Sequence, residues 1–135
     1  MKGKISVIHL GVADVDRSVI FYRDGLGFRV HGKDQPGDAH VMFELEGTWL
    51  GLYGRQPLAE DAGVSAEGGG FAGFTVAHNA PSKSDVDAVY ALALSAGGTG
   101  VKTPAEVFWG GYSGYFADPD GFLWEVCFNP FTDLS

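Results

Sequence analysis

Cysteine is almost absent: Cys127 stands alone in 135 residues. No intramolecular disulfide can form, and the composition suits a reducing compartment. Positive charge is scarce too. Nine Lys and Arg against 17 Asp and Glu leave a net charge of −8, which argues against nucleic acid or an anionic membrane as a partner. No apolar run approaches the ~20 residues of a membrane span. Behind Lys2 and Lys4 the apolar run is short and broken by His9 and Gly11, so no signal peptide is expected. A cytoplasmic protein is the expectation. Hydrophobic residues make up 45% of the chain, enough for the core of one domain over 1–135.

The most informative stretch is 109–126, which reads as two strands joined by a tight turn at Asp118-Pro119-Asp120-Gly121. Proline presets φ at the second turn position, and glycine suits the fourth position of a type I turn. Aromatic and β-branched residues on either side favour strands. Glu125 stands alone in the middle of the apolar closing strand. A carboxylate there is costly unless it is paired, solvated by a cavity or put to use.

The chain reads as two copies of one unit. In the first, a strand over 5–12 leads to Asp14, a helix cap, and to a helix whose apolar side carries Val15, Val19, Phe21, Tyr22 and Leu26. Gly25 and Gly27 end it. A short strand over 28–32, a polar turn over 34–38 and a hairpin over 39–53 complete the unit. Residues 55–70 read as a polar, glycine-rich connection. The pattern then restarts with a strand over 71–77, a helix bearing Val86, Val89, Tyr90, Leu92, Ala93 and Ala96, a strand over 99–102 and the closing hairpin. Two modules result, about 1–54 and 71–135, each strand–helix–strand–strand–strand. Two copies are too few for a solenoid, so two units closing around a shared cavity are expected.

The V-A-D-V-D-R-S-V-I-F-Y helix entry at 12–22 and the closing D-P-D-G-x-x-W-E-V at 118–126 make the chain resemble the vicinal oxygen chelate superfamily. That group includes glyoxalase I, extradiol dioxygenases and bleomycin-resistance proteins. The stretches 73–79 and 107–116 look like its glyoxalase-like branch. The resemblance implies an α+β fold in which two βαβββ modules form an incomplete eight-stranded barrel around a shared cleft. It also implies a homodimer. The metal enzymes of the group place one ligand on the first and last strands of each half. Here those positions carry over to Val7, Gly51, Glu125 and either Phe71 or Ala72. Only Glu125 has a donor atom, and a protein metal site needs about three. The usual four-ligand site and any resident cofactor are therefore not expected. A divalent metal held through displaced ligands stays open.

Strand alternation puts Val7, His9 and Gly11 on one face, Trp49, Gly51 and Tyr53 on another, and Leu123, Glu125 and Cys127 on a third. With Val7 at an inherited ligand position, His9, Trp49, Tyr53 and Glu125 are expected to floor a pocket, a mostly apolar hollow with few polar groups. Glu125 is either a relict carboxylate hydrogen-bonded to a Tyr or the backbone, a general acid or base, or a ligand in a rearranged metal site. His9 is a satisfied cavity histidine, a proton shuttle or a metal ligand. Trp109, before Gly110-Gly111, and Tyr112 are candidate aromatic walls for a ligand, whereas Trp124 should face the helices as core. His78 reads as a brace for the following helix, His31 and His40 as surface groups, and Cys127 as buried packing.

Two functions are in play. One is a glyoxalase- or bleomycin-resistance-like protein that binds a small organic molecule in an aromatic cleft. The other is a lyase or isomerase, similar to lactoylglutathione lyase, that moves a proton with Glu125 and His9, with or without a divalent metal.

Overall fold

The computed structural model describes residues 1–135 apart from Lys2, Lys4 and Gly73. Those two lysines, and the part of the expected 71–77 strand at Gly73, lie outside the described residues. The chain divides into two compact units, Met1–Gly69 and Gly70–Ser135.

The first unit contains β1 (Val7–Val12), α1 (Val15–Val19), a π-helical segment (Ile20–Gly25), β2 (His40–Phe43), β3 (Trp49–Gly54) and α2 (Arg55–Ala62). The strands lie in the order β1-β3-β2, with β1 parallel and β2 antiparallel to β3. The period-2 pattern of the strands explains the core. Leu10, Val12, Leu50, Leu52, Val41 and Phe43 are all buried and share one sheet face by register. Against that face lies α1, capped by Asp14, whose side chain accepts from Arg17 N at 3.0 Å. Leu26 N then donates to Phe21 O at 2.9 Å, five residues back, so the helix ends in a widened turn.

Two expectations for this unit change. The strand over 28–32 is reduced to a single antiparallel bridge, Val30 with Phe43, flanked by His31 N to Met42 O and Glu44 N to Arg29 O bonds. Gly27 and Gly32 bound it and leave too few residues for a ladder. Among the described residues there are thus seven strands, and the eighth survives as this bridge. The connection over 55–70 opens with a helix, α2, which packs on β1 and β3. Its good helix formers, with Pro57 tolerated in the first turn, favour this over a loop.

The second unit holds β4 (Val76–Asn79), α3 (Lys83–Ser95), β5 (Thr99–Glu106), β6 (Tyr112–Ala117) and β7 (Leu123–Phe128), in the order β4-β7-β6-β5. Ser82 caps α3 by accepting from Asp85 N at 3.2 Å. Val86 and Ala93 of α3 are fully buried against β5, β6 and β7. The hairpin turn closes as expected, with Gly121 N donating to Asp118 O at 3.0 Å. Buried Asp118 adds more, its Oδ1 accepting from Asp120 N at 2.9 Å and from Phe122 N at 2.8 Å. β5 runs past the expected 99–102, and its pairing with β6 is irregular between Lys102 and Ala105. Trp124 is buried and stacks on Phe116 with ring centroids 6.1 Å apart, the core role expected of it. Among the described residues, no helix is long and apolar enough to cross a membrane.

Candidate functional site

Each unit has one sheet face turned away from its helix-covered core. In the first unit that face is built in rows. His9, Gly51 and Met42 are in register, and Gly11, Tyr53 and His40 form the next row. His9 and His40 are both exposed, and their Nε2 atoms lie 3.0 Å apart. The His40 ring stacks on Tyr53 at 4.7 Å, and His9 meets the same ring edge-on at 6.2 Å. Partial desolvation of the ring first, and the neighbouring His9 second, hold the His40 imidazole below its ordinary pKa.

Gly51 is required by close approach. A Cβ there would lie 2.4 Å from His9 Cδ2, 2.8 Å from His9 Nε2 and 3.0 Å from Met42 Sδ. The side chains of two neighbouring strands fold over the bare backbone of the third. Trp49 faces His31, with ring centroids 4.9 Å apart, and His31 Nδ1 lies 2.6 Å from Glu44 Oε1. Val7 pairs with Trp49 and contributes only its apolar side chain. His9, Trp49, Gly51 and Tyr53 share this face of the sheet by register. His40 and His31, read from sequence as surface groups, are exposed but take part in the same cluster.

In the second unit the corresponding face carries Glu125. Its register partners are Tyr115 on β6 and Ala77 on β4, and Lys102 of β5 pairs with Tyr115. Glu125 is half-buried and lines a hollow of about 330 Å³ with Lys102, Ser113, Tyr115, Phe108 and Trp109. The Tyr115 hydroxyl is pushed above its ordinary pKa, first by burial and then by the Glu125 carboxylate beside it. The Trp109 indole lies flat on Gly111, where a Cβ would come within 1.9 Å of its Cη2. That pair of residues explains how an indole 37% exposed is held at the rim.

The structure thus brings Glu125 and Trp109 together, and it sends Tyr112 elsewhere. Tyr112 alternates with Tyr115's face and donates its hydroxyl to Asp87 Oδ1 of α3 at 2.8 Å. Lys83 Nζ lies 5.9 Å from the centroid of its ring. It braces the helix and does not line the hollow. His78 pairs with Val126, on the opposite side of the sheet from Glu125. Cys127 is buried, and its thiol is raised by burial and by the Glu125 charge, a setting that disfavours the thiolate.

Sequence reasoning missed Tyr115, Lys102 and Ser113. Counting outward from the 118–121 turn sets Gly114 opposite Glu125, whereas Asp118 N donates to Phe122 O, so the loop holds one more residue and Tyr115 becomes the partner. The partners on β5 depend on an irregular register that no local pattern encodes.

The inherited ligand set does not fit a metal. Val7 and Gly51 offer no donor, Phe71 and Ala72 are exposed apolar residues ahead of β4, and the space a side chain at 51 would fill holds the His9 ring. Among the described residues, no group of three or more His, Cys, Asp and Glu side chains converges.

The family model described as Glyoxalase/Bleomycin resistance protein/Dioxygenase superfamily matches residues 4–126. A glyoxalase-related enzyme from Fulvimarina pelagi is similar at 29% identity and a TM-score of 0.86, over 98% of this chain and 93% of its own. The lactoylglutathione lyase of Agrobacterium tumefaciens is similar at 26% identity and a TM-score of 0.71, over 96% of each chain. TioX from Micromonospora sp. ML1 is 26% identical with a TM-score of 0.68, over 93% of this chain and 98% of its own. Comparison with curated proteins gives no match.

Proposed function

Because the chain belongs to the Glyoxalase/Bleomycin resistance protein/Dioxygenase superfamily, whose fold alone does not set a reaction, we propose that it binds a small organic molecule in the hollow around Glu125. The observation that carries this reading is the composition of that hollow. A half-buried carboxylate is backed by a Tyr115 hydroxyl, and Phe108 and Trp109 supply apolar wall. Its size, about 330 Å³, lies at the lower end of the range for small-molecule sites, roughly 300–1,000 Å³. The carboxylate favours a ligand with a basic nitrogen, and the indole favours a planar or partly apolar body. The four-ligand metal route of glyoxalase I is not part of this reading, since three of its positions carry no donor.

The test is a calorimetric titration with a planar aromatic amine and with its uncharged isostere. Glu125→Gln is expected to weaken the amine by roughly 10–100-fold, the worth of a charge-assisted hydrogen bond, and to leave the isostere unchanged. Equal loss for both, or no saturable binding by the native protein, would sink the proposal.

A second reading is favoured by the pairing of Tyr115 with Glu125 across the β6–β7 ladder, which sets a phenol and a carboxylate in the same hollow. On it, the protein is a lyase or isomerase in which Glu125 is the general base. Turnover in a lactoylglutathione assay that drops ~10²–10⁴-fold in Glu125→Gln would place this reading first. As the resemblance implies, we also propose a cytoplasmic homodimer, which light scattering of the purified protein tests.

A further inference from the structure

The exposed face of the first unit's sheet carries donors that the reading above does not use. We propose that His9, His40 and Met42 form a copper(I) site.

The three donors come from two strands that flank β3, and they meet where β3 has no side chain. His9 and Met42 are both in register with Gly51. His9 Nε2 and Met42 Sδ reach within 2.8 and 3.0 Å of the point where a Cβ at 51 would stand. His40, one row along, aims its Nε2 at that of His9 from 3.0 Å. Two imidazole nitrogens and a thioether therefore share one small region above a bare stretch of backbone.

The donor chemistry selects the metal. Thioether sulfur is a soft ligand and imidazole a borderline one, and together they favour copper(I) over magnesium, calcium or manganese. Glu44, which follows β2 on the side of His40 and Met42, is held by His31 and Arg29, so hard-metal character is low. Ligation needs neutral imidazoles. Two neutral rings with their Nε2 atoms 3.0 Å apart share a single N–H between them. When copper enters, the proton on the donating Nε2 shifts to Nδ1 of the same ring, and no proton is released overall. Tyr53, stacked on His40 and edge-on to His9, holds both rings in orientation. Both imidazoles are exposed, which leaves the metal a way in.

The experiment is anaerobic copper(I) titration, with ascorbate present and bicinchoninate as competing chelator. It uses the full chain and its Cys127→Ser variant, because a thiolate would otherwise compete. One copper(I) per chain is expected in both. His9→Asn and His40→Asn should each weaken binding by more than about tenfold, the loss expected from disturbing even a supporting group. Met42→Leu should weaken it less and remove the single sulfur scatterer from the X-ray absorption spectrum. Gly51→Ala leaves all three donors in place but inserts a Cβ between them, and it should also weaken binding. Circular dichroism confirms that each variant is folded. If Gly51→Ala fails to fold, the two histidine variants still decide. Binding that survives His9→Asn unchanged, disappears in Cys127→Ser, or never outcompetes the chelator would overturn the site. It would leave the ligand reading at Glu125 untouched.

Discussion

The helix that follows the opening strand differs sharply between the two units. In the first it is five residues of α-helix running into a six-residue π-helical segment. In the second it is a regular thirteen-residue α-helix. The buried residues explain the contrast. Phe21 and Tyr22 are consecutive, both buried, with rings perpendicular at 5.0 Å. The widened turn carries both into a cluster with Phe28 and Phe43. In α3 the fully buried residues, Val86 and Ala93, are seven apart, which is about two turns of a regular helix. One unit is packed by rings and the other helix by small aliphatic side chains, yet the order of strands and helix is the same up to the closing hairpins. Binary patterning sets the topology, and side-chain volume sets the local helix geometry.

The largest expected effects test that packing contrast. Phe43→Ala in the first unit and Phe116→Ala in the second should each cost about 3–5 kcal/mol in urea denaturation, since both rings are buried. A Phe43→Ala loss under about 1 kcal/mol would break the account of the first unit as ring-packed.

Next comes the hairpin turn, present in the second unit with a buried acid that the first unit's Glu46-Gly47 turn lacks. Asp118→Ala strands two backbone donors, Asp120 N and Phe122 N. A loss of about 1–3 kcal/mol is expected, read as a lower urea midpoint with unchanged slope. No change in midpoint would mean that water replaces the carboxylate at no cost.

The helix caps are where the units agree, so they give a matched pair. Asp14→Ala and Ser82→Ala each remove one side-chain acceptor at a helix start and should cost about 0.5–2 kcal/mol. If only Ser82→Ala is destabilising, the first unit's short helix is held by its rings and not by its cap.

The smallest effect is a pH dependence confined to the first unit. The folded-state pKa of His40 lies below the ordinary imidazole value of 6.5, chiefly through partial desolvation. The unfolded chain therefore takes up the proton first as the pH falls. This contribution to stability is complete above the unfolded value and is lost as the pH drops below it through the folded value. His40→Gln should flatten the slope of Tm between about pH 7 and pH 5. A slope unchanged by the substitution would assign it to other groups.

Legibility in the sequence followed the range of the interactions. The Asp118–Gly121 turn, the Asp14 helix start and the core role of Trp124 rest on neighbours close in the chain, and all were readable. The strand over 28–32 was over-read because its apolar residues resemble a strand while its bounding glycines leave room only for a bridge. The helix α2 was under-read because the glycines from Gly63 onward dominate the composition of 55–70. At the site, Glu125 was found because a lone carboxylate in an apolar strand has no ordinary explanation. Its partner Tyr115 follows only from the extra residue in the hairpin loop, and Lys102 only from the irregular pairing of β5 with β6.

Residue order alone determined the alternation of apolar and polar positions, the turns and caps, and hence the two βαβββ-like units and the family. Those features depend on local sterics and on the period of the backbone. Tertiary structure alone decided that His9 meets His40, 31 residues away, over the bare backbone of Gly51, and that Tyr112 turns to the helix while Tyr115 turns to Glu125. Strand order and register are properties of long-range pairing, and a shift of one residue would exchange every one of these partners.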